Sequence, residues 1–203
     1  MAVFYHRNDL PDGTVFSNSI AVDSETMGLN LWRDRLCVIQ LSGGDGNAHV
    51  VHFPDRNYAA PNLRRVLADQ AITKIFHFAR FDLAMIQRHF AIACAPVYCT
   101  KLASRLVRTN SDRHGLKDLC YELLGVELSK QQQTSDWGAP KLDEAQLNYA
   151  ASDVLYLHAL RKRLDELLER EGRKLMAEAC FQFLPVRASL DLAGWPEQDI
   201  FAH

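Results

Sequence analysis

Residues 19–53 read SIAVDSETMGLNLWRDRLCVIQLSGGDGNAHVVHF, and this stretch decides the fold class. Ser19 to Glu25 starts apolar and ends in acids, while Arg35 to Ser42 and Ala48 to Phe53 are rich in β-branched and aliphatic residues. Such runs read as strands when turn residues bound them, and SGGDGN at Ser42 to Asn47 is such a turn. An antiparallel three-stranded meander is expected here. Downstream, PNLRRVLAD begins a helix at Pro61, where proline suits the first turn. Thr73 to Phe78 reads as a strand and Phe81 to His89 as a helix. Past Val97 the pattern is helical, over Lys101–Val107, Gly115–Gly125, Asp143–Glu171 and Leu175–Phe183. The polar stretch Ser129 to Pro140 is a loop. Strands first and helices later, with one strand–helix alternation between, predict an α/β fold: a mixed sheet flanked by helices.

With 203 residues, 48% hydrophobic and 24% charged, the chain suits a single domain spanning 1–203. The net charge of −2 excludes a protein that coats duplex DNA with its whole surface. If nucleic acid is bound, contact is local or metal ions supply the positive charge. Five cysteines, none in a Cys-x-x-Cys pair, read as reduced thiols. No apolar run suggests a signal peptide or membrane span, so a soluble, cytoplasmic protein without membrane contact is expected.

Asp23 and Glu25 are two apart at a strand end, so their carboxylates share a face. Asp82 follows the strand TKIFHF, at the start of the next helix, where favourable dipole placement alone would also explain it. Tyr149 and Asp153 are four apart on one helix face. Singly, each acid has an ordinary explanation. Gathered together, they would repel unless cations neutralised them. Hard oxygen donors suit two divalent cations, Mg²⁺ or Mn²⁺, and such a pair can hold a phosphodiester and activate water.

These residues resemble a known family. Asp23-x-Glu25, Asp82 and Tyr149-x-x-x-Asp153 match the three motifs of the DEDDy 3′–5′ exonucleases. Lys130-Gln-Gln-Gln-Thr-Ser-Asp-Trp137, then Gln146 and Tyr149-Ala-Ala-Ser-Asp153, resemble the ribonuclease D branch, though its C-terminal helical nucleic-acid-binding domains have no counterpart. The ending CFQFLPVRASLDLAGW is similar to the bacterial nano-RNase C (NrnC) type. The resemblance implies an RNase H-like (DnaQ-like) fold, two divalent metals held by Asp23, Glu25, Asp82 and Asp153, and a water positioned by Tyr149. It implies short RNA, down to dinucleotides, as substrate, and a homo-oligomeric ring, an octamer. Leu190, Leu192, Trp195, Ile200 and Phe201 lie in the last stretch, so the segment about 184–203 is expected to form oligomer contacts.

Substrate contacts follow with alternatives open. Leu29 occupies the place of an apolar wedge between terminal bases, or packs as a loop leucine. His77 contacts base or phosphate, or is a satisfied strand-end histidine. Lys101 to Lys117 carries five basic residues and one acid, so Ser104, Arg108 and Arg113 are expected to cap a 5′ phosphate; a solvated basic helix face is the alternative. Trp137 reads as an anchor for the loop rather than a stacking surface. Two rival functions stand beside the exoribonuclease: a nuclease trimming longer RNA tails or single-stranded DNA, and an inactive nucleic-acid-binding or assembly subunit.

Overall fold

The computed structural model describes residues 2–129, 131–132 and 134–202. Lys130 and Gln133 of the polar loop, and His203 at the end of the C-terminal segment, lie outside the described residues.

The meander forms as the sequence predicts. Strands β2 (Ser19–Thr26), β3 (Leu36–Ser42) and β4 (Ala48–His52) pair antiparallel. Helix α1 (Pro61–Ala68) leads to β5 (Thr73–Phe76), which lies parallel to β2, and helix α2 (Ala79–Phe90) leads to β6 (Val97–Cys99), parallel to β5. Strand β1 (Val3–Arg7) pairs parallel with β4 and completes a six-stranded sheet of order β1-β4-β3-β2-β5-β6. Every residue of β3 is buried. That requires cover on both faces, and it explains why RLCVIQLS runs apolar without alternation. Ile39, Leu41 and Val51 join the large core with α1 and α2. Cys37, Val38 and Val50 join a smaller core with Trp137, Leu142 and Ala150.

The helical half follows as α3 (Thr100–Val107), α4 (Leu116–Leu119) with a π-helical turn at Cys120–Leu124, α5 (Glu144–Leu155), α6 (Leu157–Arg170) and α7 (Lys174–Leu192). Two expectations are corrected. The pattern over Asp143–Glu171 reads as one helix, but the chain breaks at Tyr156 (φ −101°, ψ −4°). The two halves bury their apolar stripes against different partners, α5 against β2, β3 and β4, and α6 chiefly against α3. The last helix does not stop at Phe183. It runs through Pro185 to Leu192, packed along α2. Proline inside a helix removes one hydrogen bond, and an ion-pair cluster downstream holds the helix in place. Asp191, with its side chain 4% exposed, accepts from Arg80 at 2.6 Å and from Arg187 at 2.6 Å. Strands β1 and β6 stand at the sheet edges and were not expected. Cys37, Cys94, Cys99 and Cys120 are buried and Cys180 half-buried, all as free thiols. Among the described residues, no helix is long and apolar enough to cross a membrane.

Candidate active site

Strand β2 begins inside the core, where Ile20, Ala21 and Val22 are fully buried, and its last residues emerge into a cleft of about 710 Å³. Asp23 lies opposite Gln40 of β3, and Gln40 Nε2 donates to Asp23 Oδ2 at 2.8 Å. Glu25, two residues on, shares that face, and a bulge follows between Glu25 and Thr26. Such irregularities bend a strand and re-aim its end.

Asp153 and Tyr149 arrive from α5, one turn apart. A capping box fixes the start of this helix: Asp143 accepts from Gln146 N, and the Gln146 side chain accepts from Asp143 N. Gln146 Nε2 also donates to Ser135 Oγ at 3.2 Å and to the Asp136 carbonyl at 3.1 Å, tying the polar loop to the helix. Trp137 is 2% exposed, with its ring centroid 6.0 Å from that of Tyr149. It anchors the loop, as its sequence context suggests, and forms part of the cleft wall.

Carboxylate oxygens of Asp23, Glu25 and Asp153 lie within 4.8 Å of one another. Asp82, from the first turn of α2, lines the same cleft but stands outside that triple; Ser24 Oγ donates to its Oδ1 at 2.5 Å. Burial pushes Asp23 well above the usual carboxylate range, and repulsion from Asp82, Asp153 and Glu25 adds to it. Burial, then Asp153 and Asp82, lifts Glu25 to about 9. Burial lifts Asp82 and Asp153 to about 7 each, with Ser24 and Tyr149 partly countering by hydrogen bonding. The Tyr149 hydroxyl is raised beyond its ordinary 10.0 by burial and then by Asp153. A divalent cation would favour the ionised form of these acids and offset their mutual repulsion. The donors are all hard oxygens, so the set fits Mg²⁺ or Mn²⁺ rather than a sulfur- or nitrogen-bound ion.

Around the acids, Leu29 stands on the rim, 83% exposed. His77 lines the cleft with Nδ1 2.9 Å from Thr100 Oγ1; burial and then Lys101 push its imidazole down to about 3, so it is neutral. Ser104, Arg108 and Arg113 are not brought into the cleft. Ser104 is fully buried, with Oγ 2.8 Å from His114 Nδ1. Arg108 is engaged by Glu122 and by the Arg113 carbonyl, and Arg113 by Asp118 at 2.6 Å. Of the basic residues in that stretch, Lys101 and Lys117 line the cleft. Sequence reasoning missed Gln40 and Ser24 as supports of the acids. Gln40 had a signal: a lone amide in an apolar strand.

A 3′–5′ exonuclease family model matches residues 12–169. The chain belongs to the 3′–5′ exonuclease family. It thereby has the DnaQ-like variant of the RNase H-like fold that its sequence motifs implied. It is similar to NrnC of Brucella melitensis, 57% identical with a TM-score of 0.97 over 100% of this chain and 98% of that one. The same NrnC has been solved with bound Mg²⁺ (55% identity, TM-score 0.96, 100% of each chain) and bound to pGG (56%, 0.97, 100% and 99%). Ribonuclease D of Granulibacter bethesdensis is 33% identical over 154 residues, 76% of this chain and 38% of that relative. The chain thus spans about two-fifths of the length of the curated ribonuclease D relatives it matches.

Proposed function

We propose that this chain is a metal-dependent 3′–5′ exoribonuclease that degrades short RNA, especially dinucleotides, to nucleoside monophosphates. One observation carries the reading: three half-buried carboxylates converge within 4.8 Å, with Asp82 and Tyr149 on the same cleft. The full-length likeness to NrnC, solved with Mg²⁺ and with pGG, supports both the cations and the substrate class.

In this reading Asp23, Glu25, Asp82 and Asp153 hold two divalent cations, Mg²⁺ or Mn²⁺. Such ions acidify water and offset charge on the attacking and leaving oxygens of a phosphodiester. Gln40 and Ser24 keep Asp23 and Asp82 in fixed orientations through the hydrogen bonds described above. A tyrosine, with an ordinary pKa of about 10, is a poor base at neutral pH. The main role of Tyr149 is to orient the attacking water, with the metal ions supplying the acidification. Leu29 on the rim wedges between the last two bases, and Lys101 and Lys117 meet the phosphates.

The assembly is proposed to be a homo-oligomer, an octamer by the family resemblance, with contacts at the C-terminal end. Within this segment Leu184, Ala188 and Asp191 are buried in their own subunit, whereas Trp195, Ile200 and Phe201 are 43%, 44% and 75% exposed. These exposed apolar residues support a contact surface after α7.

The test is product analysis on 5′-labelled RNAs of about two to twenty nucleotides with Mg²⁺ or Mn²⁺. Stepwise shortening from the 3′ end, fastest on 5′-phosphorylated dinucleotides, is expected. Equal kcat/KM for 2-mers and 7-mers would favour the long-tail nuclease, and no cleavage would favour the inactive subunit.

A further inference from the structure

We propose that Phe78 is the stacking platform for a nucleobase of the substrate, with Lys101 beside it as the contact for the adjoining phosphate. The inference rests on reading the cleft as a single-strand exonuclease site.

Phe78 breaks two local rules at once. It occupies the N-cap of α2, a position that Ser, Thr, Asp or Asn normally fills to bond a free helix N–H, and it supplies no side-chain cap. Its backbone is left-handed (φ 68°, ψ 44°), a conformation in which a bulky residue is an outlier. Such strain persists only where surrounding structure enforces it, and it clusters at functional sites. The ring gains no burial in return. It is 46% exposed, while Phe76, two residues earlier, is fully buried. Phe78 stands on the cleft wall with Asp82, four residues on in the same turn-and-helix unit, so the backbone that carries the ring is fixed relative to that acid.

Lys101 Nζ lies 4.3 Å from the Phe78 ring centroid, a cation over an aromatic face. Lys101 also lines the cleft. A flexible lysine resting on an otherwise bare ring can swing aside when a base takes its place, and its ammonium then meets the phosphate of that nucleotide. Positive charge is needed there because four carboxylates face the incoming strand. Stacking on an aromatic ring tolerates every base, since each has a π-face. The platform therefore selects for the presence of a base and not for its identity.

The test measures pGG affinity by calorimetry with Ca²⁺ in place of Mg²⁺, alongside kcat and KM with Mg²⁺. Phe78→Ala and Phe78→Leu should weaken pGG binding and raise KM by about 5- to 150-fold, the scale of one base–aromatic stack, with kcat nearly unchanged. Phe78→Trp should retain affinity, and its added fluorescence should be quenched by pGG but not by ribose 5-phosphate. Phe78→Gly relieves the left-handed strain, so it should raise the melting temperature while weakening pGG; a purely structural role demands the reverse. Wild-type pGG affinity in Phe78→Ala and Phe78→Leu, or no quenching in Phe78→Trp, overturns the platform alone. A wild-type protein that neither cleaves nor binds pGG overturns the exonuclease reading and this one together.

Discussion

The clustered acids should make the protein less stable without cations as pH rises, and Glu25 sets the scale. Its pKa is about 9 in the fold against an ordinary 4.5. An acid whose folded value is raised contributes its full stability below its unfolded value, here about 4.5, and loses it as pH climbs through about 9. At pH 7 the folded chain holds a proton that the unfolded chain has already released, over about 2.5 pH units. At about 1.36 kcal/mol per unit this amounts to about 3 kcal/mol as a ceiling. Glu25→Gln keeps the shape of the protonated acid and removes the titration. In EDTA at pH 7 the variant should melt higher than wild type by up to about 6–12 °C for a domain of this size. Across pH 5 to 9 the wild type should fall more steeply than the variant, with Asp82 and Asp153 adding their share below about 7. Excess Mg²⁺ should reverse the ranking, because an ion that binds only the folded state stabilises it and the variant has lost a ligand. Thermal unfolding by circular dichroism, with and without Mg²⁺, reads all of this. Wild-type stability that stays flat from pH 5 to 9 in EDTA, or a variant no more stable than wild type at pH 8, refutes the reasoning.

Tyr149→Phe deletes only the hydroxyl, so single-turnover hydrolysis of pGG should slow by about 10²-fold or more with binding unchanged. Asp191→Ala strips a buried partner from Arg80 and Arg187 and should cost about 1.5–3 kcal/mol in urea unfolding; a loss near zero would mean that α7 is held past Pro185 by apolar contact alone. Removing residues 195–203 spares α7 and its core contacts, so the truncated chain should stay folded and give smaller particles by light scattering. An unchanged particle mass would place the oligomer contacts elsewhere.

The meander was legible because SGGDGN separates two β-rich runs and because the apolar half of β2 gives way to acids at its end. The edges were not. Strand β1 reads VFYHR, with Phe4 and Tyr5 about two-fifths exposed, so it lacks the buried face that marks a strand in sequence. Pro185 hid the second half of α7, because the packing on α2 that carries the helix past it is tertiary. In the site, spacing alone placed Asp23 with Glu25 and Tyr149 with Asp153. Meeting across β2 and α5 is a consequence of the fold, which the family motifs indicated and residue patterns could not. The basic stretch misled in the opposite way. Arg108 and Arg113 look free in sequence, but Glu122 and Asp118 sit on the next helical turns and engage them. Lys101 and Lys117, from the same stretch, line the cleft instead.

If Asp23, Glu25, Asp82 and Asp153 form the cation site that drives hydrolysis, calorimetric titration with Mn²⁺ shows it most directly. Two ions per subunit are expected on the wild type, with pGG cleavage rising as they bind. Asp23→Ala and Asp153→Ala should lose Mn²⁺ binding and cleavage together while remaining folded. Cleavage of pGG by wild type in EDTA, or undiminished Mn²⁺ binding in Asp153→Ala, would contradict it.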